Sequence, residues 1–189
     1  MTPKRVWVSL LIATLAAISV IGALSLVPQG AQASLLTVKT CGGGTIEVNA
    51  NEKRMLELHN EARTKRGLKA LCVHLSLTAA ARAHSQDMLN KDYASHDSPD
   101  GEGVRERLKR FRYSPGGYSY YSIGENIAWG CESRGRPEHL FKWWMHSRGH
   151  RANILNNRFR EVGIGARTGT FKSCDQASMY TVDFGTRRP

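Results

Sequence analysis

Familiar catalytic signatures are missing from this 189-residue sequence. No G-x-S-x-G elbow occurs, which removes the strand-to-helix turn that exposes a hydrolase serine. No H-E-x-x-H occurs either. His146 and His150 are four apart, but no Glu follows His146, and Gly149 disturbs the helix that would carry them. The absence of C-x-x-C argues against a cysteine zinc site. Internal repeats and low-complexity tracts are lacking. After the N-terminal stretch, no apolar run is long enough to cross a bilayer. Acidic residues are few: 16 Asp and Glu stand against 27 Lys and Arg, for a formal net charge of +11. No nucleic-acid motif accompanies that excess, so no nucleic-acid partner is expected. Anionic cell-wall polymers, phospholipid head groups or acidic polysaccharide are the partners such a charge attracts. The alternative is that the charge serves solubility alone.

What is present begins with an export signal. Lys4 and Arg5 precede an apolar stretch from Val6 to Val27, and Ala31-Gln32-Ala33 follows. A basic start, an apolar middle and a small-x-small site describe a signal peptide over 1–33, cleaved after Ala33. An uncleaved anchor is the alternative, since about 22 apolar residues can span a bilayer. Cleavage predicts a secreted or cell-envelope protein, with a charge of +9 (11 − 2) once Lys4 and Arg5 are gone. About 156 residues remain, enough for one domain with its own core. Nothing in them demands a dimer, and a monomer is expected. Four cysteines, Cys41, Cys72, Cys131 and Cys174, read as two disulfides in an exported chain. Three pairings are possible. Cys41–Cys72 with Cys131–Cys174 is favoured because each ties a flexible stretch to a structured one.

Residues 34–50 read as an irregular arm or linker, with Gly42-Gly43-Gly44 opposing regular structure. The folded domain is assigned to 51–189. Asn51 is expected to cap a helix to about Arg66, ended by a left-handed Gly67. Ser76 is expected to cap a second helix from Leu77 to Asn90. Its alanines suggest close packing on a sheet, and His84 on its apolar face reads as a buried histidine. Val104, Leu108 and Phe111, interleaved with Arg105, Arg107, Lys109, Arg110 and Arg112, predict a short basic helix with a solvated charged face, or one that docks on an anionic surface. Residues 114–122 read as an exposed loop. Its tyrosines, with Tyr113, either stack on sugars or lipid or cover the core. Pro137 opens a third helix to His146, and a helical turn follows to Leu155. Period-2 runs at 161–167 and 179–185 predict an antiparallel hairpin. Helices first and strands later make the fold class α+β.

Several motifs then fall together. They are Ser95-His96-Asp97-Ser98-Pro99, Gly124-Glu125-Asn126, the run from Trp144 through Gly149-His150-Arg151 to Leu155, and Val162-Gly163-Ile164-Gly165. The sequence resembles the CAP superfamily (cysteine-rich secretory proteins, antigen 5 and pathogenesis-related proteins), in its bacterial secreted branch, over about residues 55–184. That resemblance implies an α–β–α sandwich, a mainly antiparallel central sheet between helical layers. It also implies a cleft of two histidines and two acids. The motifs place His96, Glu125 and His150 in that cleft, and Ser147 where the second acid usually stands.

Two neutral imidazoles and a carboxylate make a plausible ligand set for Zn²⁺ or another divalent cation. Glu125 is the one candidate catalytic residue, as a base, or else it orients a histidine from behind. Equally, His96, Glu125 and His150 form a hydrogen-bonded cluster that holds three segments together, with Asn126, Arg151 and Asn153 bonding nearby backbone. The leading reading is a secreted, non-enzymatic binder of lipid, sterol-like or cell-envelope ligands. A metal-dependent, peptidase-like hydrolase is the first alternative. A structural envelope protein acting through its basic surface is the second.

Overall fold

The computed structural model describes residues 35–189. The leader and its cleavage site lie outside them. Among the described residues no helix is long and apolar enough to cross a membrane. The arm is a hairpin rather than irregular chain: β1 (Leu36–Lys39) pairs antiparallel with β2 (Thr45–Val48). The three glycines occupy the turn, which is why they do not break the strands. Helix α1 (Ala50–Thr64) starts two residues earlier than Asn51 would place it, because Asn49 is the cap. The Asn49 side chain accepts from the Glu52 N–H, and Glu52 accepts from the Asn49 N–H, a reciprocal capping box. Gly67, at φ 71°, turns the chain just beyond the helix end.

The short strand β3 (Cys72–Val73) leads into α2 (Leu75–Asn90), capped by His74 instead of Ser76. A loop then carries Ser95 and His96 to α3 (Val104–Arg110). The reading of 114–122 as loop fails at its end, where β4 (Tyr120–Cys131) begins. Tyr113 is fully buried, so of the two roles open to it the structure gives the one that covers the core. Helices α4 (Pro137–His146) and α5 (Arg148–Ile154) follow, and β5 (Glu161–Phe171) and β6 (Cys174–Arg188) close the chain as a longer hairpin than the alternation suggested.

The main sheet has the order β3-β5-β6-β4. Only the β3–β5 pair is parallel. One face carries Val162, Ile164, Tyr180, Val182 and Phe184, packed on Met55 of α1, Leu140 and Trp144 of α4, and Ile154 of α5. The other face receives α2. A Cβ at Gly163 or Gly165 would lie 2.0 or 2.3 Å from α2 backbone, so those glycines let the helix lie directly on the sheet. This is the α–β–α sandwich of the α+β class. Both disulfides form, Cys41–Cys72 and Cys131–Cys174. Buried Arg63 donates to the carbonyls of Lys69, Ile154, Asn156 and Phe159. It thereby fixes the exit of α5.

Candidate functional site

The sheet order leaves β4 at an edge, with helices on both faces. Side chains from both layers reach around that edge. Glu125 lies on β4 with its side chain 1% exposed. One oxygen, Oε1, accepts from His96 Nδ1 at 2.7 Å, and Oε2 accepts from Arg107 Nη2 at 2.7 Å. Arg107 also donates to the His96 carbonyl. One guanidinium therefore holds both the carboxylate and the loop that carries its histidine.

Burial alone would raise the Glu125 carboxyl. The His96 hydrogen bond and the Arg107 charge outweigh that and hold it below its ordinary value. His96 is raised in turn, chiefly by its hydrogen bond to Glu125. Asp183 sits opposite Glu125 in the β4–β6 register. It is fully buried, and its two oxygens have no hydrogen-bond partner among the described residues. Burial, then the charge of Glu125, raise it well above the usual carboxylate range. His84 is buried as expected, with Nε2 on the Ser95 carbonyl at 3.0 Å.

His150 comes from the other layer. Its Nδ1 shares a hydrogen bond of 2.8 Å with the Ser147 hydroxyl. Its ring lies 5.0 Å from that of Trp143 and stacks at 6.2 Å on Trp144. The Asn126 side chain donates to the His150 carbonyl, and Asn153 donates to Glu125 O and Asn126 Oδ1. These bonds tie α5 to β4. Burial and then the charge of His96 lower the His150 pKa, so the two imidazoles sense each other. The structure thus shows two pairs, His96–Glu125 and Ser147–His150, on segments tied together through Asn126 and Asn153.

Among the described residues no three His, Cys, Asp or Glu side chains are grouped to hold a metal ion. Glu125 spends both oxygens on protein partners, so the set His96, Glu125 and His150 does not fit a three-ligand metal site as it stands.

Beside His150 a cavity of about 560 Å³ opens along β4. Ile127, Trp129, Leu140, Trp143 and Met179 give it apolar walls, and Arg134 and His139 give it polar ends. Sequence reasoning missed these residues, and it missed Arg107 and Asp183. Composition assigns Arg107 to a solvated basic face, but its side chain is 1% exposed. The signal is its spacing, three after Val104 and four before Phe111, on the apolar side of α3.

His96 yields a direct test. An NMR titration should place its midpoint above the ordinary 6.5, and Glu125→Gln should return it toward that value. Because the folded pKa is raised, the stability it adds is complete below pH 6.5. It is lost as pH rises through the folded midpoint. A midpoint at or below the ordinary value would refute the pairing.

The comparisons agree with this architecture. The sequence model of the Cysteine-rich secretory protein family matches residues 56–184. The uncharacterized protein YkwD of Bacillus subtilis (strain 168) is 45% identical over 118 residues, 62% of this chain and 43% of that protein. The uncharacterized membrane protein YlbC of the same organism is 31% identical over 115 residues, 61% of this chain and 31% of that protein. The chain therefore spans less than half the length of these curated relatives. Among solved structures, an extracellular protein containing a SCP domain from Bacillus anthracis aligns with a TM-score of 0.58 at 26% identity, covering 78% of this chain and 47% of that one. An outer surface protein of Borrelia burgdorferi aligns at 0.61 and 18% identity over 82% of this chain and 100% of its own, a likeness of fold. With most of its folded part inside the family match, the chain belongs to the cysteine-rich secretory protein (CAP) family.

Proposed function

We propose that this is an extracellular, non-enzymatic CAP protein that binds an amphipathic ligand, lipid or sterol-like, at the edge of its sheet. The cavity along β4 carries this reading. Its volume of about 560 Å³ is that of a small-molecule site. Its walls are mostly apolar, and His150, Arg134 and His139 provide polar groups for a ligand head. The two disulfides support an oxidising compartment, and the Bacillus anthracis relative is itself described as extracellular.

His96 and His150 would orient a polar head group. In each, Nδ1 is engaged, by Glu125 or by Ser147. Glu125 and Ser147 would orient the two rings from behind.

Calorimetry of the folded protein with a medium-chain fatty acid and with a sterol sulfate tests the reading, each with and without Zn²⁺. One-to-one binding of at least one of them is expected. It should weaken tenfold or more in Ile127→Trp, which fills the cavity, and in Trp143→Ala, which removes a wall. Failure of both ligands under both conditions, or binding indifferent to both substitutions, would sink the proposal.

A further inference from the structure

Two loops far apart in sequence meet at one guanidinium. Arg63, fully buried near the end of α1, donates to the carbonyls of Lys69, Ile154, Asn156 and Phe159 at 2.8–3.1 Å. The turn after α1 (65–70) and the segment after α5 (155–160) are therefore held side by side within the reach of a single side chain. Arg160 closes on the same point. Its Nη1 donates to the Phe159 carbonyl at 2.9 Å, the oxygen that also accepts from Arg63.

Neither loop contains an acid. Residues 65–70 read Lys-Arg-Gly-Leu-Lys-Ala, and 155–160 read Leu-Asn-Asn-Arg-Phe-Arg. Lys65, Arg66, Lys69 and Arg158 are exposed, and Arg160 is half-buried. None of these five, nor Arg63, has an ion pair among the described residues. The bordering acids are engaged elsewhere, Glu61 by Arg54 and Glu161 by Tyr113 and Arg187. A buried charge without a counter-ion is costly, and the four carbonyl dipoles offset only part of that. Burial, then the charge of Arg160, lowers the Arg63 pKa, so the two guanidinium groups repel each other. An anion held between the loops would relieve that repulsion. The loops expose no ring and no large apolar side chain: Phe159 is buried, and Leu68 and Leu155 are half-buried.

We propose that these two loops bind a flexible phosphate polymer, a chain with a phosphate at each repeat and no nucleobases. The arginines would take phosphates through their planar forks, and the lysines would act as point charges. A glycan fits less well, because no ring here could stack on its sugar faces. A membrane surface fits less well, because nothing here could insert into it. A nucleic acid fits less well in the oxidising compartment that two disulfides imply. A phosphate chain carries its charge on the backbone itself and needs neither ring nor apolar contact. The loops share no residue with the lining of the cavity along β4, so this site does not depend on the ligand proposed there.

Fluorescence anisotropy with end-labelled inorganic polyphosphate tests the proposal on residues 35–189, which carry their own core and both disulfides. Polyphosphate should bind. Heparin, polyglutamate, a DNA duplex and phosphatidylglycerol vesicles should each compete less well, charge for charge, than unlabelled polyphosphate. Lys69→Gln/Arg158→Gln should weaken binding tenfold or more and flatten its salt dependence. Lys109→Gln/Lys172→Gln removes the same charge from exposed positions on α3 and beyond the far end of β5, and should change binding less than twofold. All four side chains are exposed, and circular dichroism verifies that both variants fold. Absence of binding, a loss in the Lys69/Arg158 variant no larger than in the control, or equal or better competition by any of the other four would overturn the proposal.

Discussion

Arg107→Met is expected to destabilise the domain by about 3–5 kcal/mol at neutral pH, the usual result of removing one partner from a buried ion pair. Arg107 and Glu125 are each 1% exposed at the side chain, 2.7 Å apart. Without the guanidinium, the Glu125 carboxylate stays in a low-dielectric site, facing Asp183 across the β4–β6 register, with His96 as its remaining hydrogen-bond partner. The His96 loop also loses the bond from Arg107 to its backbone carbonyl. Adding Glu125→Gln should recover more than half of the loss, because the stranded charge disappears with it. A double-mutant cycle by urea denaturation reads that coupling directly. A single-variant cost under about 1 kcal/mol, or no rescue in the double variant, would show that Arg107 does not neutralise this carboxylate. In the same variant the His96 imidazole should titrate differently, since the geometry of the Glu125 pair changes.

This ion pair also shows where sequence reading stops. His96, Glu125 and His150 are legible because they sit in short motifs with distinctive neighbours. The Gly-Glu-Asn motif has a local reason: a Cβ at Gly124 would meet the Phe159 ring at 2.9 Å and the Asn153 side chain at 3.1 Å, so glycine lets α5 close on β4. Arg107 is not legible in the same way. Its neighbours are also basic, and composition assigns such a helix to solvent. Only the rotation of α3, fixed by Leu108 packing against Leu77, Ala80 and Tyr113, turns this one arginine inward. Asp183 is hidden by the opposite effect. It lies inside the apolar run from Tyr180 to Phe184, and nothing local marks the strand as paired with Glu125.

The fold is legible where the periodicity is clean and obscure where glycine interrupts it. The hairpin of β5 and β6, the helix from Pro137 and the α2 alanines all announce themselves. Strand β4 does not, because Gly124, Asn126 and Gly130 are poor strand formers on their own. Its pairing with β6 along twelve registered positions supplies what propensity lacks. The same holds for β1 and β2, which are four residues each and are closed by a pairing that propensity does not signal. Long-range pairing therefore decides the edge of the sheet that carries the candidate site.

Acid should loosen this domain through a histidine buried in its main core. His59 lies on α1, fully buried, with its ring 5.1 Å from Phe141, 5.8 Å from Trp144 and 5.7 Å from Phe184. Its Nδ1–H donates to the Met55 carbonyl at 2.8 Å, and Nε2 has no partner among the described residues. Protonation would put an unpaired N–H and a charge into the main core. Burial accordingly pushes its pKa from 6.5 down to about 4. Between those values the unfolded chain binds a proton that the folded chain refuses, so stability is full above pH 6.5 and falls as pH drops toward 4. Each tenfold rise in proton concentration costs about 1.4 kcal/mol, and roughly 3 kcal/mol is lost by pH 4. His84 and His150, also lowered by burial, push in the same direction, while His96 opposes them because its pKa is raised. His59→Leu should therefore flatten the pH dependence of urea midpoints between 6.5 and 4 without abolishing it. NMR should find His59 neutral at pH 5 in the folded wild type, a readout that stands even if the variant folds poorly. A protonated His59 at pH 5 would mean that the core admits water or a partner at Nε2, and the acid sensitivity would then have to come from the carboxylates.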